Sequence, residues 1–366
     1  MKRLVKTVAV SAALLAGVAL AGSAVSISNA EAGELNLLTW EGYSEPIITQ
    51  KFQDETGCKI SLTYVGSNDE FPAKLAGGSS IYDMVSPSID TTGILAKMGV
   101  IEPIPIDILG DNWLDIYEDF RTHPSITGDE GWMPPEGYLW AVPYAWGSIN
   151  WMYRADKFDT PPDSIDLLWN PEYAGKLSLW DDKTNIYAVA RYLYGTDINV
   201  YDLNDEQLAE VRDKLIEAKP QLRKYWATAG ELIDLYAKGE VWFSNSWGGY
   251  QSAILQEQGI PVVEFMPKEK ADGWQDAWQI VKGTENMDCA LKYAAYSISP
   301  YAQCQMAINV GWSAANAEAV KECLSKEQFD ALHQGDFIYL DNLDFWQEPV
   351  RVDKMIQTWN AVKAAQ

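Results

Sequence analysis

The stretch WAVPYAWGSINWMYR, residues 140–154, lies near the middle of the chain and gives the first indication of the fold. It is almost uncharged and carries three tryptophans and two tyrosines. Pro143 and Gly147 interrupt a β-rich run, which predicts a strand that bends as it passes from one sheet to another. Aromatic rings at such a bend suit the floor of a cleft between two lobes, where ligand sites form. A buried core strand is the alternative that this stretch alone leaves open.

The N-terminus has the pattern of an export signal. Lys2, Arg3 and Lys6 are followed by an apolar run over residues 7–25, and small residues then stand at the spacing that signal peptidases cleave. The run is short and broken by Gly and Ser, which favours cleavage over a retained anchor. We therefore predict a signal peptide over residues 1–30 and a mature protein in the periplasm.

The charge balance restricts the partners. The chain has 366 residues and a formal net charge of −24, which argues against nucleic acid and anionic membrane as partners. It is compatible with a cationic ligand. Neither a GxSxG elbow, an HExxH helix nor a Walker loop is present, so an enzyme is not expected. Cofactors are not expected either.

The four cysteines of this exported chain predict one or two disulfides. Three full pairings of Cys58, Cys289, Cys304 and Cys323 are possible, and we favour Cys289–Cys323, which would close a helical pair near the C-terminus. Their spacing lacks a CxxC pair and the chain has two histidines, which argues against a metal site.

Hydrophobic periodicity and end signals predict an alternation of strands and helices, and hence an α/β fold with mixed sheets. Gly57 is the expected C-cap of the first helix and Asn204 the N-cap of a long helix. The predicted strands are 34–40, 59–65, 82–87, 177–180, 241–244 and 278–281. The predicted helices are 45–55, 69–75, 94–98, 164–169, 184–194, 205–218, 228–238, 287–297, 300–308, 317–324 and 352–364.

Seven segments in a fixed order carry a family resemblance. They are TWEGY (39–43), ETGCKI (55–60), YDMVSPS (82–88), VPYAWG (142–147), LWNPEYAGKLSLWDD (168–182), GWQDAW (273–278) and SPYAQCQMAINVGW (299–312). Together they resemble the periplasmic polyamine-binding proteins of ABC importers, the spermidine/putrescine-binding group. The resemblance runs from about Leu35 to the C-terminus.

The resemblance implies a type II-like periplasmic-binding-protein fold, with two α/β lobes and a ligand cleft between them. One lobe is expected from residues 31–143 and 278–325, and the other from residues 144–277 and 326–366. It also implies a monomer that captures a small amine and delivers it to an ABC permease in the inner membrane.

The resemblance further implies a set of ligand-binding residues. Gly42 and Asn185 stand where the family usually has glutamates and Ser244 where it has a tryptophan, so we expect Trp247 to supply the missing ring and Glu41 and Asp90 to compensate for the lost charge. The expected site consists of Trp40, Glu41, Tyr43, Ser88, Asp90, Asp182, Asn185, Trp247, Trp274, Asp276, Trp312 and Gln347.

Residue chemistry fits an amine at this site. Carboxylates give an alkylammonium charge-assisted hydrogen bonds, and tryptophan faces cover its carbons and attract its charge. Local alternatives stay open: Asp182 as a cap of the following helix, Asp276 as a turn residue, and Trp274 and Trp278 as core.

Other ligand classes also stay open. A zwitterion such as an ω-amino acid would need a cation such as Arg154 or Lys183, and a quaternary amine is a related possibility. An oligosaccharide would want more Asn, Arg and Lys donors than the matched positions offer. A glycoside hydrolase would need a carboxylate pair that no spacing singles out.

Overall fold

The computed structural model describes residues 33–77 and 81–365. The predicted signal peptide, residues 1–30, lies outside this range. Within the described residues, no helix is both long and apolar enough to cross a membrane.

Strands and helices alternate along the chain, as the periodicity predicts. The strands are β1 (Glu34–Thr39), β2 (Lys59–Tyr64), β3 (Met84–Val85), β4 (Ile101–Glu102), β5 (Ile104–Pro105), β6 (Tyr138–Leu139), β7 (Val142–Ile149), β8 (Trp151–Arg154), β9 (Leu177–Trp180), β10 (Leu222–Trp226), β11 (Phe243–Asn245), β12 (Val262–Phe265), β13 (Asp272–Val281), β14 (Ser313–Ala314) and β15 (Asp344–Phe345). The helices are α1 (Pro46–Thr56), α2 (Glu70–Leu75), α3 (Ile89–Met98), α4 (Glu118–Thr122), α5 (Pro124–Thr127), α6 (Asn185–Tyr194), α7 (Asp205–Ala218), α8 (Ala229–Ala237), α9 (Tyr250–Glu257), α10 (Met287–Ser297), α11 (Pro300–Asn309), α12 (Ala317–Val320), α13 (Lys326–Ala331), α14 (Phe337–Asp341) and α15 (Val352–Ala364).

Local capping chemistry explains where the best-predicted helices begin and end. Asn204 accepts a hydrogen bond from the Gln207 amide, and the Gln207 side chain returns one to the Asn204 amide, so α7 begins with a full capping box. Gly57 ends α1 in the left-handed conformation, with φ of 77°, that glycine adopts without strain. The predicted helix over 164–169 is instead a 3₁₀ helix, Ile165–Trp169.

Two large sheets form the scaffold. The first has the order β14-β7-β13-β3-β1-β2, with β4 and β15 also pairing to β13. Its strands β1, β2 and β3 are parallel, whereas β13 runs antiparallel to β3 and β7. The second has the order β10-β9-β11-β8-β12 and is also of mixed direction. The prediction of an α/β fold with mixed sheets is confirmed.

The central stretch does pass from one sheet to the other. Strand β7 lies in the first sheet and β8 in the second, and Asn150 separates them. The return crossing lies between β12 and β13. The register of β7 against β13 shifts beside Pro143. Proline has no amide hydrogen to donate to the neighbouring strand, and such an irregularity in the pairing tolerates it. The expected lobe boundaries at 143/144 and 277/278 fall inside these two crossing strands and stay a prediction.

The predicted Cys289–Cys323 disulfide is wrong. The structure pairs Cys58 with Cys289 and Cys304 with Cys323. Cys289 lies in the first turn of α10, which packs beside β1, so it meets Cys58 at the entrance to the neighbouring strand β2. Cys304 on α11 instead meets Cys323, because α12 packs against α11.

Candidate functional site

A cavity lined by tryptophans lies where the two sheets meet. It holds about 280 Å³ of space between atoms, including the part that opens to solvent. Its walls come from the segments after β1, β11 and β15, from the end of β9, from the residue before β14, and from the crossing strands β7 and β13. The lining residues are Trp40, Tyr43, Ile149, Trp180, Trp247, Trp274, Asp276, Trp312 and Trp346.

Most ring pairs in this wall stand edge to face, whereas Trp180 and Trp346 are stacked. The centroids of Trp40 and Trp247 are 5.6 Å apart, those of Trp180 and Trp247 5.5 Å, and those of Trp274 and Trp312 5.3 Å, with interplanar angles of 73° to 82°. This arrangement is the favourable one for aromatic quadrupoles. Such a cavity suits a cation with an apolar body.

Small residues make room for this wall. A Cβ at Gly147 would collide with the Trp274 ring, so the glycine in the central stretch seats a cavity tryptophan. A Cβ at Gly42 would lie 2.6 Å from Val310, and Gly42 has φ of 90°. A glutamate at position 42 therefore does not fit this backbone.

Asp276 is the one carboxylate among the lining residues. The Ser88 hydroxyl donates to its Oδ1 and the Tyr43 hydroxyl donates to its Oδ2, both at 2.5 Å. Ser88 and Asp276 also form a β-bridge, which fixes the backbone of both. Burial raises the pKa of Asp276 to about 7, while the two hydroxyls lower it and the charge of Asp90 raises it.

Asp276 forms no ion pair with a cation of the described chain, although only 4% of it is exposed. Asp272 on the same strand is the opposite case, because Arg191 contacts it at 2.5 Å. A buried carboxylate without a cation costs free energy unless a partner arrives. A cation that entered the cavity would meet in Asp276 a carboxyl that no cation of the described chain pairs with.

The structure brings seven of the twelve predicted site residues together. Trp40, Tyr43, Trp247, Trp274, Asp276 and Trp312 line the cavity, and Ser88 binds Asp276. Trp247 lies in the cavity wall, as expected for the residue that supplies the ring missing at Ser244. Ser244 itself accepts a hydrogen bond from the Trp226 indole in the core. Trp278 packs on Tyr144 and Tyr293 and is fully buried away from the cavity.

Five predicted site residues do not line this cavity. Glu41 accepts from the Gly230 amide at 3.2 Å, across the gap between the sheets. Gln347 is exposed, because Trp346 beside β15 turns its ring inward and neighbours in an extended segment point to opposite sides. The other three, Asp90, Asp182 and Asn185, are buried nearby.

Asp182 and Asn185 are engaged in the turn before α6. Asp182 Oδ1 accepts from the Thr184 amide in a turn that precedes α6, while its Oδ2 has no hydrogen-bond partner. The N-cap of α6 is Thr184 and no side chain caps the helix, so Asp182 does not have the capping role that the sequence left open. Asn185 donates to the carbonyls of Trp180 and Asp182 and accepts from Asn245. Its amide is thus fully used within the protein.

Sequence reasoning missed Trp180, Trp346 and Ile149. Trp180 ends β9, and carboxyl ends of strands in α/β sheets are where ligands bind, so its position was a usable signal. Trp346 and Ile149 had no such signal, because only tertiary packing of β15 and β7 brings them to the cavity.

Comparison with known proteins decides the family. Residues 48–331 match the family model of bacterial extracellular solute-binding proteins. The chain belongs to this family. The solute-binding protein is 27% identical to the putrescine-binding periplasmic protein SpuD of Pseudomonas aeruginosa, with 100% of this chain and 99% of that one covered. It is 28% identical to the spermidine/putrescine-binding periplasmic protein of Escherichia coli, with 86% of each chain covered.

Among solved structures, the fold of the solute-binding protein is similar to the spermidine/putrescine ABC transporter substrate-binding protein PotD of Streptococcus pneumoniae. The TM-score is 0.69 at 21% identity, covering 91% of this chain and 99% of that one. The predicted periplasmic-binding-protein fold, with its cleft between two lobes, is confirmed. The family is one of binding proteins, so the prediction that the chain is not an enzyme is confirmed as well.

Proposed function

We propose that this protein is the periplasmic binding component of an ABC importer and that it captures an alkylamine of the polyamine class. The names of its relatives support the ligand class, since they are putrescine- and spermidine-binding periplasmic proteins. The predicted signal peptide over residues 1–30 agrees with export.

The observation that carries this proposal is Asp276, a buried carboxylate without an internal cation in a wall of tryptophans. A ligand ammonium at Asp276 gains a charge-assisted hydrogen bond, which contributes about 1.5–3 kcal/mol. Each ring face that it meets adds about 0.5–2 kcal/mol and covers methylene groups. The hydroxyls of Tyr43 and Ser88 already hold the carboxylate in place, so little order has to be gained on binding.

Closure of two lobes would convert binding into a signal for the permease. We propose lobes of residues 31–143 with 278–325 and of residues 144–277 with 326–366. Direct bonds span the cleft, among them Trp180 Nε1 to the Gly66 carbonyl at 2.8 Å and Lys183 Nζ to Asp69 at 2.9 Å. A ligand favours this closed form only by its differential affinity for it. The closed monomer is then the form that an inner-membrane permease recognises.

A zwitterion is less well served by this cavity. The two cations that could hold a ligand carboxylate are otherwise engaged: Arg154 binds Asp156 and the Tyr236 carbonyl, and Lys183 binds Asp69. The lining residues include no lysine or arginine. An oligosaccharide is disfavoured because the names of the relatives point to amines.

Tryptophan fluorescence tests the proposal. The mature protein is titrated with putrescine, spermidine, an ω-amino acid, a betaine and a disaccharide. We expect a saturable change with a polyamine, because the cavity rings move to a less polar environment when it fills. Saturation with the disaccharide alone, or with the ω-amino acid alone, would refute the proposed ligand class.

A further inference from the structure

A second carboxyl of the structure resembles Asp276 in its surroundings. Glu264 lies in β12, the strand before the return crossing, and no cation of the described chain forms an ion pair with it. The Ser246 hydroxyl donates to its Oε1 at 2.8 Å, as the Ser88 hydroxyl does to Asp276. Burial raises the pKa of Glu264 to about 7, while Ser246 and Ser252 lower it. Glu264 is thus a second carboxyl that hydroxyls hold in place without a cation.

Glu264 lines a cavity next to the tryptophan cavity, which we call the Glu264 cavity. It holds about 450 Å³ of space between atoms, including the part that opens to solvent. Trp247 and Trp312 line both cavities. Ile149 lines the tryptophan cavity and the preceding residue, Ser148, lines the Glu264 cavity. Because successive side chains of a strand point to opposite faces, the two cavities lie on opposite sides of β7.

The Glu264 cavity offers acceptors that an ammonium group needs. Asn150 lines it, and the Oδ1 atom of Asn150 is buried without a hydrogen-bond partner. The three N–H donors of an ammonium match the Glu264 carboxylate, Asn150 Oδ1 and the hydroxyl of Tyr339, which also lines the cavity. His333 is the one lining residue that can carry a positive charge, and it contacts Asp336 and stacks on Tyr339.

The other buried acids outside the tryptophan cavity are less suited to a ligand ammonium. Lys183 already acts on the charges of Asp90 and Asp182, although Asp182 Oδ2 has no hydrogen-bond partner. Asp90 and Lys183 line a cavity that shares no lining residue with the tryptophan cavity. Glu269 accepts from the Ser164 hydroxyl and from a backbone amide. The acid that adjoins the tryptophan cavity without a cation is therefore the one in β12.

Within the described residues, one edge of β7 carries no strand where the two cavities adjoin. β14 pairs with β7 at Ala145 and Trp146, and the next residue, Gly147, lines the Glu264 cavity. A methylene chain that passed this edge would meet the shared rings of Trp247 and Trp312, which suit the carbons of an alkylammonium.

Length decides which amine can reach both carboxyls. Side chains on opposite faces of a strand reach groups on the order of 10 Å apart, the spacing of packed layers. The nitrogens of putrescine are about 6 Å apart in an extended chain, whereas the terminal nitrogens of spermidine are about 11 Å apart. Putrescine is therefore too short for both cavities, and a triamine is long enough.

We propose that Glu264 holds the far ammonium of a polyamine longer than putrescine, such as spermidine, whose near ammonium lies at Asp276. This inference rests on the proposed function and specifies which amines bind best. Putrescine contacts Asp276 alone, whereas spermidine places one ammonium at each carboxyl.

The test compares spermidine with N-propylputrescine, which has the same chain but lacks one terminal amine, by calorimetry. For the wild type we expect spermidine to bind at least about tenfold more tightly, because the far ammonium gains a charge-assisted hydrogen bond. Glu264→Gln keeps an acceptor for the Ser246 hydroxyl but removes the charge. In this variant we expect the two affinities to lie within about threefold of each other, with the affinity for N-propylputrescine unchanged.

Glu269→Gln is the matched control, since Glu269 is a buried glutamate whose bonds lie within the protein. This variant should keep the wild-type preference for spermidine on its folded fraction.

Three results overturn the inference while leaving the proposed function intact. The first is a wild type that prefers spermidine to N-propylputrescine by less than about tenfold. The second is a Glu264→Gln protein that keeps the wild-type ratio. The third is a Glu264→Gln protein that loses affinity equally for both amines, which would give Glu264 a structural role. Should Glu264→Gln not fold, the wild-type ratio still decides. If the wild type binds neither these amines nor putrescine, the proposed function itself fails.

Discussion

Replacing Asp276 by Asn should separate ligand binding from stability. The substitution keeps the shape of the side chain and one acceptor for the hydroxyls of Tyr43 and Ser88, but it removes the charge. Losing one charge-assisted hydrogen bond costs about 1.5–3 kcal/mol of binding free energy, which raises the dissociation constant for putrescine about 10- to 150-fold.

The same substitution should not destabilise the free protein. Burial raises the pKa of Asp276 in the folded state to about 7. At pH values between the pKa of this carboxyl in the unfolded chain and about 7, the folded state therefore holds a proton that the unfolded state releases. This carboxyl therefore lowers the free energy of unfolding as pH rises through that window. Asp276→Asn removes the penalty, and urea unfolding at pH 8 should give equal or greater stability than the wild type.

Asp272→Asn is the matched control. Asp272 lies on the same strand and is equally buried, but it pairs with Arg191. Breaking a buried pair costs about 3–5 kcal/mol, so this variant should lose stability. Its affinity for putrescine, measured by calorimetry on the folded fraction, should stay at the wild-type value. If Asp276→Asn binds putrescine as tightly as the wild type, the placement of the site is refuted.

Three further predictions follow from the same geometry. Trp274→Ala and Trp278→Ala should each lower the free energy of unfolding, measured in urea, by about 3–5 kcal/mol. Only Trp274→Ala should also weaken amine binding. Equal amine affinities of the two variants would show that Trp274 is a core residue without a role in binding. Amine affinity should fall about tenfold per pH unit below pH 7, where Asp276 takes up a proton, and a flat profile from pH 5 to 8 by calorimetry would contradict this. Replacing Cys58 and Cys289 by Ser should lower the free energy of unfolding by about 5 kcal/mol, and replacing Cys304 and Cys323 by Ser should lower it by about 3 kcal/mol. The first disulfide closes the longer loop and so removes more entropy from the unfolded chain. A larger loss from the Cys304–Cys323 replacement would refute this argument.

Local chemistry accounts for what the sequence predicted correctly in the fold. The bounds of α7 follow from Asn204 and the apolar period that it opens, which are properties of neighbours in sequence. The change of sheet after the central stretch could also be predicted, because uncharged β-rich residues interrupted by Pro143 and Gly147 do not fit one straight strand. The tight packing of the Trp274 ring on Gly147 could not, since the two lie on different strands.

The candidate site was predictable where the family resemblance supplied residues and incomplete where packing decides. Trp40, Trp274 and Asp276 meet in the cavity as expected. The prediction chose Gln347, whereas the neighbouring residue Trp346 lines the cavity. The sequence could not distinguish the two, because the register of β15 against β13 is set by tertiary contacts. The cysteine pairing failed for the same reason: the packing of α10 beside β1 is not visible in the spacing of cysteines along the chain.

The most direct test of the central claim is a crystal structure of the protein with putrescine. We expect one ligand nitrogen about 2.7–2.9 Å from a carboxylate oxygen of Asp276, with the methylene chain against the tryptophan rings of the cavity. A ligand bound in another cavity, or one that leaves Asp276 without a nitrogen partner, would contradict the account.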